Sequence, residues 1–141
     1  MAAIIRTVLL LGLILSVGCG GSSNPQQPPA ASTTGSWSFV GVSLAFHTTF
    51  SATANMQQQG SDISGTVILS GPPCTQNLTL NGTISGSMVR LQLRDGAEIV
   101  MNMTTTVTPD GSSISGTYNP PTASCMNGDV GNFTGRRDQV R

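Results

Sequence analysis

The chain has 141 residues, of which 9% are charged and 38% hydrophobic, with no lysine and a formal net charge of zero. That balance argues against nucleic-acid binding, which needs Arg and Lys to neutralise phosphates, and the length fits one domain. The hydrophobic residues recur in regular alternation, which argues against a disordered chain. Abundant Gly, Ser, Thr and Asn point to an exported all-β protein with many short turns.

Arg6 opens the chain with a positive charge, and Thr7 to Val17 is an apolar run. The run has signal-peptide length and is short for a transmembrane span. Gly18 then stands directly before Cys19, after Leu15, Ser16 and Val17. This resembles the lipobox of bacterial lipoproteins. The resemblance implies a helical signal peptide over 1–18 and cleavage before Cys19. It also implies a diacylglyceryl group on the Cys19 thiol and an acyl chain such as palmitate on the new amino terminus. Each buried CH₂ contributes about 0.8 kcal/mol, so several chains hold a protein to a bilayer durably. Gly20 follows the cysteine, where an inner-membrane lipoprotein commonly has aspartate; the expected location is the cell envelope, at the outer membrane.

Residues 19–34 are rich in Gly, Ser, Pro and Gln and have no apolar periodicity. They read as a flexible, disordered tether. From Gly35 the pattern becomes period two, the signature of half-buried strands. Trp37, Phe39, Gly41 and Ser43 share one face, with Val40, Val42 and Leu44 on the other. Phe46, Phe50, Ala52, Ala54 and Met56 follow on one face, then a turn at Gln59–Asp62. Ile63, Gly65, Val67 and Leu69 lead into Gly71-Pro72-Pro73-Cys74. Leu78 and Leu80 precede an expected turn at Asn81-Gly82. Val89, Leu91 and Leu93 run to Asp95-Gly96, a strong hairpin signal. Ile99, Met101, Met103, Thr105 and Val107 alternate up to Pro109-Asp110-Gly111. Ile114, Gly116 and Tyr118 end at Asn119-Pro120-Pro121, and a last strand spans about Val130 to Arg137.

That is about eight short strands and no amphipathic helix. The expected fold of 35–141 is a small antiparallel up-and-down meander barrel, with a sandwich as the alternative. A weak repeat, Ile63-Ser64-Gly65-Thr66, Ile84-Ser85-Gly86-Ser87, Ile114-Ser115-Gly116-Thr117 and Phe133-Thr134-Gly135-Arg136, reads as the opening of returning strands. Glycine inside a strand marks a bend or a close backbone approach.

Gly35-Ser36-Trp37 opens the first strand and Arg136-Arg137 closes the last. This resembles the calycin architecture of lipocalins and avidins. The resemblance implies that Trp37 plugs a closed barrel end under a basic residue, Arg136 or Arg137, in a favourable cation–π pair. It carries no ligand over, because the family's ligand-contacting aromatics have no equivalents here.

Three cysteines are an odd number for an exported protein. Lipidation of Cys19 leaves Cys74 and Cys125 to form a disulfide. Four strand passages separate them, so both loops fall at one barrel end. Closing a loop of about 50 residues would stabilise the fold by about 4 kcal/mol in the chain-entropy model.

Candidates for chemistry are few. His47 is the only histidine and reads as a surface residue, since a metal site needs several ligands. Asp62, Asp95, Asp110 and Asp129 stand in predicted turns, where their side chains bond nearby N–H groups. Asn127–Asn132 lacks the ligand series of a calcium loop, and no nucleophile elbow or nucleotide-binding loop occurs. The sequence predicts no enzyme, no cofactor and no metal. It predicts a membrane-anchored binding or envelope-structural module. The expected partners are the membrane through Cys19, and a small apolar ligand or an envelope protein. An inhibitor-like module against an exported enzyme is the alternative.

Overall fold

A computed structural model describes residues 31–71, 76–122 and 124–139. The expected signal peptide, Cys19, most of the tether and Cys74 lie outside the described residues. Eight strands follow in order: β1 Gly35–Ser43, β2 Thr49–Gln59, β3 Asp62–Ser70, β4 Gln76–Ser85, β5 Met88–Asp95, β6 Glu98–Val107, β7 Ser113–Asn119 and β8 Gly131–Arg137. Each pairs antiparallel with the next, and β8 returns to β1, so the sheet closes as an up-and-down barrel and not a sandwich. Closure leaves no free edge to template pairing with another chain.

The period-two pattern sets the inside and the outside. Inward positions carry Trp37, Phe39, Phe50, Met56, Leu69, Leu80, Leu91, Ile114 and Phe133, all buried in one core. The aromatic residues fit because glycines face them across the strands. A Cβ at Gly41 would sit 2.1 Å from the Phe50 ring, and one at Gly135 would sit 2.3 Å from the Phe39 ring. Phe39 in turn packs between Trp37 and Phe133, with centroids 6.1 Å from each. Full burial of such a side chain contributes about 1.5–3 kcal/mol.

Three local expectations are corrected. Asn81-Gly82 is no turn: both residues lie inside β4, which continues to Ser85, and Gly82 pairs with Leu91. A Gly at an inward position and an Asn at an outward one carry a turn's composition without its geometry. The repeat unit Ile84–Ser87 accordingly closes β4 and supplies its turn, whereas Ile63–Thr66 and Ile114–Thr117 do open their strands. In β6, strict alternation breaks at a register shift against Leu93/Arg94, and Val100 and Met101 are both buried. An extra residue in one strand of a pair does this while sharpening the local twist.

The β6–β7 turn is held by its own aspartate. Thr108 Oγ1 donates to Asp110 Oδ1 at 2.5 Å, and Ser112 N donates to the same oxygen at 3.1 Å. The bond from Thr108, followed by those from Ser112, lowers the Asp110 carboxyl from 3.8 to about 2. The folded state therefore favours the ionised form. Its contribution is present above the unfolded value and is lost as pH falls through the folded one.

Urea denaturation of Asp110→Ala and the parent should show a stability gap near neutral pH that closes as pH falls from about 4 to about 2. A gap independent of pH over that range would refute the assignment. Gly135→Ala should cost about 1–3 kcal/mol by overpacking against Phe39, read as a lower urea midpoint.

Candidate functional site

The barrel has two unlike ends. At the one where β1 begins, a short segment crosses the opening. Thr33 is fully buried, and Ala31 packs on the core. Residues 31–34 were read from sequence as the end of the tether; here they lie against the barrel. The reason is hydrogen bonding more than apolar content. Trp37 Nε1 donates to the Thr33 carbonyl at 2.8 Å, and Thr33 N and Oγ1 both donate to Gln58 Oε1, at 2.8 and 3.1 Å. Gln58 N donates to Thr34 Oγ1 at 3.0 Å. Trp37 is wholly buried, and the Arg137 guanidinium carbon stands 5.2 Å from its ring centroid. Arg137 also donates through Nη2 to the Ser32 carbonyl. Arg136, its neighbour, pairs in register with Ser38 and Ser113 and is exposed.

The opposite end carries the longer connections, 44–48 and 120–130, and a polar cluster that the sequence reading missed. Asp129 is 1% exposed. Its Oδ2 accepts from the Tyr118 hydroxyl at 2.7 Å, and its Oδ1 accepts from Ser43 Oγ at 3.0 Å and Ala45 N at 3.3 Å. Ser43 Oγ accepts in turn from Phe46 N at 2.8 Å. A buried carboxylate is tolerable only with such donors around it. The cluster ties both connections to β1 and β7, and every oxygen of Asp129 is occupied, so its chemistry is structural. Burial, then the hydrogen bond to Asp129 and its charge, push the Tyr118 phenol well above its usual 10.0. A signal existed: Ser43 interrupts an otherwise apolar inward row, and the single tyrosine lies inward at the same end.

The other candidates lie apart. His47 is exposed, at the tip of the β1–β2 connection with φ 52°. Among the described residues, no three His, Cys, Asp or Glu side chains gather around a common point. Cys125 is exposed, with its Sγ 3.3 Å from Gln76 Oε1. Gln76 opens β4, two residues after Cys74.

The barrel interior is nearly full. The space between Phe39, Phe50, Leu69, Leu91, Met101 and Phe133 amounts to about 20 Å³. Ligand pockets occupy roughly 300–1,000 Å³, whereas this space is that of about one water molecule.

Among the described residues, five of the exposed large hydrophobic side chains gather in one place, while Ile68 and Met88 stand elsewhere. Val40 and Val42 lie on the outer face of β1, Leu44 and Phe46 continue the row into the connection, and Val130 joins it where Leu44 N bonds the Val130 carbonyl at 3.0 Å. These five side chains are 43% to 54% exposed. The residues paired beside Val40 and Val42 are Ser51, Thr49, Thr134 and Asn132, none of them charged. The site therefore combines a packed, closed barrel with an uncharged apolar strip on one wall. No known protein family matches the chain, and no curated protein does.

Because the chain has one tyrosine, its alkaline titration reads Tyr118 alone. The raised folded value means that stability from this group is complete below pH 10 and declines as pH rises beyond it. Phenolate absorbance should appear together with loss of structure, while the denatured chain titrates near 10. Free ionisation in the folded protein would refute the burial argument. Tyr118→Phe should cost about 1.5–3 kcal/mol by removing one donor from a buried carboxylate.

Proposed function

We propose that this protein is a lipid-anchored exported module, held in the cell envelope at the outer membrane through Cys19, whose barrel docks an envelope protein without catalysis. The observation that carries the docking reading is the strip Val40, Val42, Leu44, Phe46 and Val130. Exposed apolar patches of this kind mark interaction surfaces, and the uncharged surroundings keep desolvation costs low. The full interior turns the reading outward, away from a small apolar guest and toward a surface contact. The buried Asp129 cluster supports it by holding the backbone of residues 43–46 and so presenting Leu44 and Phe46 in fixed positions.

The same reading pairs Cys74 with Cys125. The β3–β4 and β7–β8 connections share one barrel end, and Gln76, close to Cys74 in the chain, reaches the Cys125 sulfur. Such a bond would staple two connections beside the docking face. An inhibitor of an exported enzyme would use the same strip, and the identity of the captured protein separates the two readings.

The test is photocrosslinking in intact cells from a photoreactive residue at position 46. A discrete adduct with one envelope protein is expected, reduced about tenfold or more by Val42→Ser with Leu44→Ser. No adduct, or adducts indifferent to those changes, would remove the docking role. In the same cells, Cys19→Ser should move the protein from the membrane fraction to the soluble one; retention in the membrane would remove the anchor.

A further inference from the structure

On the wall opposite the apolar strip, three strands form a groove with a different chemistry. In a ring of eight, β5 lies across from β1. An open groove of about 410 Å³ runs over β4, β5 and β6. Its floor is the strand backbone at Gly82, Leu91 and Met103, a row paired in register whose side chains turn into the barrel. Its two walls are the outward rows on either side: Asn81, Gln92 and Asn102 along one, Thr83, Arg90 and Thr104 along the other. A Cβ at Gly82 would lie 2.2 Å from the Arg90 carbonyl oxygen, so only a glycine lets the strands close up at this point.

The walls are prepared for hydrogen bonding. Arg94 donates to the Ala97 carbonyl at 3.2 Å and to Gln92 Oε1 at 2.9 Å, and Gln92 Nε2 donates to Asn102 Oδ1 at 3.0 Å. That relay fixes two carboxamides and leaves the Asn102 amide donors unspent. Asn81, Thr83, Arg90 and Thr104 have no side-chain partner among the described residues. No acidic side chain lines the groove; the carboxylate in the Arg90 row, Asp62, stands beyond Thr83 on β3. The amide wall continues in register past the groove, through Ser64 to Gln57 in one direction and to Asn119 in the other.

We infer that this groove binds an oligosaccharide carrying carboxylate groups. Wall rows two residues apart are about 6.6 Å from each other, and three strands span roughly 10 Å. These dimensions take one pyranose ring across and two along. A sugar ring carries hydroxyl edges, which meet amides and hydroxyls that both donate and accept. Arg90 supplies the charge: an unpaired guanidinium presents a fork that matches a carboxylate in bidentate fashion. A protein ligand would require aromatic or apolar anchors on the walls, and the groove has none. The inference stands independently of the docking strip and of the anchor, since it uses neither.

The test is calorimetric titration of the full chain in detergent with a galacturonic-acid hexamer, and in parallel with a neutral glucose hexamer. The acidic hexamer should bind, with Asn81→Ala and Asn102→Ala each weakening it about tenfold. Arg90→Gln should bring it to the affinity of the neutral hexamer. All three side chains are exposed, so their thermal midpoints should match the parent's. Failure of the acidic hexamer to bind, equal binding of the two hexamers, or binding unaffected by all three substitutions would overturn the inference.

Discussion

Closing eight strands on themselves limits the interior, and the rest of the molecule follows from how that space is filled. A small barrel must match large inward side chains against small ones. Here the large ones are aromatic and gather on β1, β2 and β8, and the small ones are glycines on the facing strands. The fit between Phe50 and Gly41 lets β2 lie close to β1, and that between Phe39 and Gly135 lets β8 return to β1. The same economy leaves an interior space of only about 20 Å³.

The second constraint is charge. With so few ionisable residues, the fold secures its ends by hydrogen bonds from neutral groups. Gln58 accepts two bonds from Thr33 at one end, and at the other a lone carboxylate is surrounded by a phenol, a hydroxyl and a backbone amide. Networks of this kind tolerate changes of salt better than surface ion pairs, whose attraction is screened. They are also intolerant of deletion, since each missing partner leaves a buried group unsatisfied.

The strand pattern was legible because each strand keeps one face in water and one in the core. Trp37, Phe39, Leu78, Leu80, Ile114 and Phe133 could be placed inside from periodicity alone. Three kinds of feature escaped. Asn81-Gly82 was misread because turn composition and a glycine pressed against a neighbouring strand look alike in one dimension. Val100 was misplaced because a bulge is set by pairing with β5, which local sequence does not encode. Asp129 was taken for an ordinary turn residue because its donors, Ser43 and Tyr118, are 86 and 11 positions away. The crossing segment at 31–34 escaped for a related reason: polar residues without periodicity can still be buried when their hydrogen bonds are met by a distant side chain. Val40, Val42 and Leu44 were legible as the second face of their strand, whereas the rows across β4, β5 and β6 were not, since they require knowing which strands stand side by side.

The crossing segment also determines how mechanical load would enter the fold. A pull on the amino-terminal side reaches residues 31–34 first, where bonds to Gln58, Trp37 and Arg137 share it. It then passes into β1. If the resisting contact sits at Leu44 and Phe46, the force runs along the whole of β1 between its two neighbours. Its ladder bonds to β2 and β8 then resist together in shear, and none is peeled singly. The strand that carries the exposed apolar strip is thus also one held on both sides along its length.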